Sequence, residues 1–138
     1  MQVIIDVAKN KEMQVAKLLA MQKAKVDSDK QQLRQLQEYA SQYESERNLL
    51  GLNANLIANY QHFVTRLGQA IQQQNNVIIQ SELQANLAMK QWLSAKAKTQ
   101  SMNSLQNKHL QQEQKVEDRQ EQKQSDEFSI RSYLNKNI

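Results

Sequence analysis

The chain of 138 residues has no proline, no cysteine and only two glycines, Gly51 and Gly68. Seven residues are aromatic. Each shortage excludes something. A compact fold of this length needs many turns, and turns draw on Gly and Pro as well as Asn and Asp. Without cysteine there is no thiol catalysis, thiolate metal site or disulfide, which fits a reducing compartment. No apolar run approaches the roughly 18 residues needed to span a bilayer. The first residues, MQVIIDVAKN, carry Asp6 and lack the apolar core of a signal peptide. A cytoplasmic protein is expected. What fills the chain instead is carboxamide, with 24 Gln and 12 Asn, together with Lys, Ala, Leu, Glu and Arg. Gln and the last five are good helix formers, so the composition predicts an all-α protein of a few very long helices.

The net charge of +4 is unevenly spread. Residues 61–110 hold five bases against the single acid Glu82, whereas residues 111–138 hold five bases against six acids. No run of adjacent bases forms, so nucleic acid is a weak reading and none is expected as a partner.

Stepping alternately by three and four from Ile57 reaches Tyr60, Val64, Leu67, Ile71, Gln74, Ile78, Ser81, Ala85, Ala88, Trp92, Ala95, Thr99 and Met102. This is a heptad seam sustained over six repeats, which predicts a coiled coil. The first half carries a matching stripe through Val26, Leu33, Leu36, Ala40, Tyr43 and Leu50, with Asp29 and Arg47 as polar exceptions. Upstream the stripe meets Leu19 and Val15 but also Gln22 and Glu12, while Ile4, Val7, Leu18 and Met21 form an apolar stripe out of phase with it. A register shift within residues 15–26 is expected. Between the halves, Gly51 suits the left-handed position after a helix end and Asn53 can cap the next helix. A short connection makes the helices antiparallel.

The predicted architecture is a single coiled-coil hairpin over residues 1–138: helix 1 over about 3–48, a bend at about 49–53, and helix 2 over about 54–134. Helix 1, roughly 70 Å long at 1.5 Å per residue, covers helix 2 only to about residue 103. The rest of helix 2 overhangs. From Gln111 to Glu127, Val116 is the sole apolar residue, leaving no face to bury. Lys115 and Arg119 can pair with acids one turn away. Apolar residues return at Phe128, Ile130, Tyr133 and Leu134, as a docking element or as a frayed tail.

No catalytic constellation is visible. His109 and Glu113 have the spacing of two metal ligands, but a third is not in view. Two isolated glycines cannot cradle a phosphate, and a two-helix hairpin has no cleft in which to tune acids. The protein is expected to be no enzyme and to use no cofactor, metal or small-molecule substrate. Gln32, Leu36, Tyr39 and Tyr43 share one side of helix 1 near the bend, and Phe63, Leu67, Ala70 and Gln74 repeat that spacing on helix 2. Leu36, Tyr43 and Leu67 lie on the seams and read as core. Gln32, Tyr39, Phe63 and Ala70 lie one step off them, as a partly exposed strip suited to an interaction site.

These residues resemble a known family. The hairpin with an overlong second helix, the tract Asn59-Tyr60-Gln61-His62-Phe63, the spacing of Gln32, Leu36, Tyr39 and Tyr43, and the late residues Gln122, Lys123, Asp126, Glu127, Phe128 and Arg131 together look like the FliJ family of the flagellar type III export apparatus. The match spans about residues 30–131 through the order and separation of short motifs. The resemblance implies a stalk similar in shape to the γ stalk of F-type ATPases. It would enter the ring of the export ATPase FliI, promote its assembly, contact the cytoplasmic domain of the export-gate protein FlhA, and bind export chaperones freed of cargo. Such a protein would be cytoplasmic and peripherally associated with the membrane-embedded apparatus, serving flagellum biogenesis and motility. The gate-contacting positions would be Gln32, Leu36, Tyr39, Tyr43, Phe63, Leu67, Ala70 and Gln74, and the ring contact would draw on Gln122, Lys123, Asp126, Glu127, Phe128 and Arg131. The family commonly has His at the position of Gln74, so a pH-sensitive role there is not implied. A virulence-type secretion stalk, or a coiled-coil chaperone or scaffold without ATPase contact, shares the architecture.

Overall fold

The computed structural model describes residues 1–47 and 54–136. It is all-α: α1 runs over Gln2–Arg47 and α2 over Ala54–Lys136. No strand occurs among the described residues. The expected bend at 49–53, with Gly51 and Asn53, lies outside them, as does Leu50. The absence of Pro lets each helix run without a lost hydrogen bond or a ring clash. No described residue has a positive φ or a cis peptide bond. Gly68 therefore sits in α2 with ordinary helical geometry, and a Cβ built on it meets nothing within 4 Å. Gly68→Ala is expected to raise stability by about 0.5–1 kcal/mol, read as an upward shift in thermal unfolding.

The chain packs as two compact units, Lys11–Ala95 on one hand and Met1–Asn10 with Lys96–Ile138 on the other. In the first unit α1 and α2 are antiparallel. Tyr43 stacks on Tyr60, Asp29 meets Gln74, and Lys30 meets Glu82, so residue numbers rise along one helix as they fall along the other. The inward face of α2 is the seam expected from periodicity. Leu67, Ile78, Ser81 and Ala88 are buried, and Tyr60, Ile71, Gln74, Ala85, Trp92 and Ala95 are half-buried. Only Ile57 and Val64, towards the start of the helix, stay exposed. The small residues Ser81, Ala85 and Ala88 follow one another where the helices can approach most closely.

The inward face of α1 corrects the expected register shift. Glu12, Val15, Leu19, Gln22, Val26, Asp29, Leu33, Leu36, Ala40 and Tyr43 are all buried or half-buried, at an unbroken spacing of three and four. The competing stripe of Leu18 and Met21 faces outwards. A single helix can present one seam, and the phase that buries Leu19 and Val26 also carries Gln22 and Glu12 inwards. Both are half-buried there, their methylene stems covered with the seam.

Two polar side chains of this seam are incompletely satisfied. The Oδ2 atom of Asp29 and the Oε1 atom of Gln22 are enclosed without a hydrogen-bond partner. Ser81, by contrast, donates its hydroxyl to the Ile78 carbonyl at 3.1 Å. An enclosed oxygen without a partner costs about 1–3 kcal/mol. Asp29→Leu is therefore expected to raise the denaturant midpoint by an amount equal to about 1–3 kcal/mol, and an unchanged or lower midpoint would remove this account of Asp29. What such a polar seam residue contributes in return is register, because sliding one helix would bury it against apolar neighbours. The Lys30–Glu82 pair at 3.3 Å is half-exposed on both sides and contributes under about 1 kcal/mol.

In the second unit, Ile5 and Ala8 of α1 and Thr99 of α2 are buried, and Gln106 donates to the Gln2 carboxamide oxygen at 3.0 Å. Beyond that bond the inward face ends. Every residue from Asn107 to Lys136 is exposed. This arm is helical without packing on anything described. Its braces are Gln114 donating to Asp118 and Gln122 donating to Asp126, at 3.1 and 3.0 Å, and the His109–Glu113 contact at 3.2 Å. Lys115 and Arg119, expected to pair with acids, make no ion pair within 4.0 Å. Carboxamides take that part instead.

Candidate interaction surfaces

Six of the eight residues expected at a gate-binding site are drawn together on one flank of the Lys11–Ala95 unit. The flank is the side on which Tyr39 and Phe63, each one step off its seam, face each other across the helix pair. Their rings meet edge-on with centroids 5.7 Å apart. Phe63 also lies 4.2 Å from the Tyr43 ring, and Tyr43 stacks on Tyr60 at 5.0 Å with the planes 4° apart. The Arg47 guanidinium sits 5.2 Å over the Tyr60 ring. Four rings and a cation thus form one cluster. Edge-on and offset ring pairs add about 0.5–1.5 kcal/mol each beyond the area they bury.

Next to the rings, Gln32, Gln35, Leu36, Tyr39 and Gln74 line a shallow groove of about 460 Å³. Gln74 anchors its floor. Its carboxamide NH₂ donates to the Asp29 carbonyl at 2.9 Å and to the Gln32 side-chain oxygen at 3.3 Å. A neutral histidine at this position has one N–H and could make only one of these bonds. Tyr39 is 50% exposed and Gln32 is exposed, whereas Leu36 is half-buried. The groove therefore offers an aromatic edge, an aliphatic wall and carboxamide donors and acceptors, the chemistry of a protein-binding surface.

The expected strip needs one adjustment. Phe63 is half-buried rather than an exposed partner of Tyr39, because it packs on two tyrosine rings. Ala70 is also half-buried and Leu67 is buried, so these two support the strip and do not face a partner broadly. Three contributors were not singled out from sequence. Tyr60 and Arg47 looked like seam positions, and Gln35 looked like one glutamine among many. A tyrosine on each seam, Tyr43 and Tyr60, placed symmetrically about the bend, was the signal that could have linked them.

The second set of expected residues lies on the exposed arm. Gln122, Lys123, Asp126, Glu127, Phe128 and Arg131 are all exposed, and Gln122 is bonded to Asp126 within the helix. Phe128, at 75% exposure, and Tyr133 are aromatic side chains with nothing packed against them. Among the described residues no three His, Cys, Asp or Glu side chains gather as metal ligands. No described helix is long and apolar enough to cross a membrane.

Comparison with known proteins covers nearly the whole chain. Residues 1–137 match the family described as Flagellar FliJ protein. The Flagellar FliJ protein of Salmonella typhi is 30% identical over 134 residues, which are 95% of this chain and 91% of that protein. The protein of the same name from Escherichia coli K12 is 28% identical over a stretch of the same coverage.

Proposed function

Since the chain belongs to the FliJ family of flagellar proteins and is thereby a component of the flagellar export apparatus, we propose that it is the apparatus's non-enzymatic stalk and adaptor, with separate surfaces for the export ATPase and the export gate. The observation that carries this reading is the bare arm. Thirty consecutive helical residues, Asn107 to Lys136, bury nothing within the chain. A helix of this composition is only marginally stable by itself in water, and a surrounding partner would give it a function. Residues Gln122, Lys123, Asp126, Glu127, Phe128 and Arg131 are assigned to contact the FliI ring. Between Gln111 and Glu127, where Val116 is the sole apolar residue, polar contacts spread along the helix suit a shaft that meets several ring positions in turn.

The gate surface is assigned to Gln32, Leu36, Tyr39, Tyr43, Phe63, Leu67, Ala70 and Gln74. Tyr39 is the exposed anchor, Phe63 and Tyr43 hold it, and Leu67 and Ala70 set the helix spacing beneath it. The occupant is the cytoplasmic domain of FlhA. Through these two contacts the protein regulates the ATPase and couples it to export, and it serves as the acceptor of emptied export chaperones. It works in the cytoplasm at the periphery of the membrane-embedded apparatus. Co-purification with FliI and FlhA from the same genome, with mass by light scattering, tests the assembly. Recovery of neither partner would overturn it.

A further inference from the structure

The flank that carries Tyr39 and Phe63 continues along the Lys11–Ala95 unit, and its charge is sorted. In heptad notation with the seam at positions a and d, Tyr39 and Phe63 both stand at g. Positions g and c of α1 from Lys11 to Gln42, and of α2 from Leu56 to Ser94, contain Lys11, Lys25 and Arg66 and not one acid. The opposite flank, positions e and b over the same stretches, holds Asp27 and Glu82 beside Lys23, Lys30 and Arg34, and the Lys30–Glu82 pair crosses it; Glu46, the next g position of α1, lies past these stretches, towards the end of α1. Mixed charge on one side and unopposed bases on the other is an asymmetry that solubility does not require.

Away from the rings this flank is also apolar. Leu18 is 41% and Met21 68% exposed on α1, and Leu87 is 52% exposed on α2. Stepping eleven residues back from Asp29 reaches Leu18, and eleven forward from its bonded partner Gln74 reaches Ala85. Leu87 therefore stands level with Leu18 to within a turn. Between them and the gate residues, Lys25, Val77, Gln80, Ser81 and Gln84 line an open groove of about 310 Å³. A concave seat between two helices, with apolar side chains at helical spacing and bases beside them, matches a third helix better than a flat lipid surface.

We propose that this end of the flank, built on Leu18, Met21, Val77 and Leu87 with Lys11 and Lys25, docks an acidic amphipathic helix of another protein as a third strand beside α1 and α2. The partner presents Leu-type residues every three to four positions to Leu18, Met21 and Leu87. Its Glu or Asp side chains meet Lys11 and Lys25. The site uses none of the residues assigned to the gate or the ATPase, so it stands or falls independently of those assignments.

The test uses the full chain and a fluorescent helical peptide of about 24 residues with Leu at three–four spacing and Glu at its flanking positions. The controls are the same peptide with Lys for Glu, the Glu peptide with its order scrambled, and vesicles containing phosphatidylserine. The Glu peptide is expected to bind at least about tenfold more tightly than either control peptide, a difference of about 1.4 kcal/mol, and to weaken with salt. Met21→Gln with Leu87→Gln lowers that affinity at least about tenfold. Lys11→Glu with Lys25→Glu reverses the preference towards the Lys peptide, and because these side chains are exposed the variants keep their helical circular dichroism. Equal binding of the three peptides, binding to vesicles alone, or unchanged binding by both variants would overturn the proposal. So would a dimer mass for the unliganded chain that Met21→Gln with Leu87→Gln abolishes, since a second copy would then be the occupant.

Discussion

A chain ending at His109 is expected to lose all stimulation of the FliI ATPase while unfolding at nearly the same temperature as the full chain. The two halves of this expectation rest on one fact: from Asn107 onwards every described side chain is exposed. Interhelical burial stabilises a coiled coil, at about 25 cal/mol for each Å² of apolar surface removed from water, and the arm contributes none of it. The last bond across the helices, Gln106 to Gln2, is retained. Stability is thus expected to change by less than about 0.5 kcal/mol, the range of surface changes remote from any packed feature. Stimulation, in contrast, should fall to the level of the ATPase alone, because the whole of the proposed ring contact is removed. Stimulation that survives the truncation would dismiss ring insertion. A melting temperature lowered by many degrees would mean that the arm packs on something.

Replacing both Tyr39 and Phe63 by alanine is expected to weaken FlhA binding by about 100-fold, with helicity intact. Aromatic anchors at the centre of an interface typically cost 2 kcal/mol or more on truncation, and 1.4 kcal/mol is tenfold in affinity. Tyr39 supplies exposed area directly. Phe63 acts more through position: its ring sits 4.2 Å from Tyr43 and 5.7 Å from Tyr39, so removing it frees the Tyr39 ring as well as shrinking the surface. The two losses should be less than additive for that reason. The double variant will also unfold at lower temperature, since Phe63 is half-buried, and binding is to be compared where circular dichroism shows both chains folded. ATPase stimulation should be unaffected. Normal gate binding by the folded double variant would show that the aromatic flank is not the site.

Much of this was legible in the sequence, and the reasons differ by element. The seam of α2 could be read almost residue by residue because a 3/4 repeat in a proline-free stretch has one consistent phase over six heptads. The point where α1 stops covering α2 followed from helix rise alone. The phase of α1 was harder. Leu18 and Met21 are as apolar as Leu19 and Val26, and counting apolar residues cannot tell a seam from a second exposed stripe. Only packing against α2 decides that Gln22 and Glu12 turn inwards. Leu18 and Met21 of that exposed stripe belong to the surface proposed above to dock a helix. At the flank proposed for the gate, sequence spacing places Gln32, Leu36, Tyr39 and Tyr43 together, since i, i+4, i+7 and i+11 share a helix face. It could not show that Tyr60 and Arg47 complete the ring cluster, or that Gln74 spends its donors on Asp29 and Gln32, because those contacts, between residues 13 to 45 apart in the chain, depend on the relative register of the two helices.

The most direct test of the central assignment, one chain with the arm for the ATPase and the flank for the gate, is site-specific photo-crosslinking from within the full-length protein. A photoreactive phenylalanine derivative placed at Phe128 in one preparation and at Tyr39 in another would be irradiated with FliI and the FlhA cytoplasmic domain both present, and the adducts mapped by mass spectrometry. The account predicts that position 128 crosslinks to residues lining the inside of the FliI ring and position 39 to FlhA. Crosslinks from position 128 to FlhA or to the outer face of the ring, or from position 39 to FliI, would contradict it.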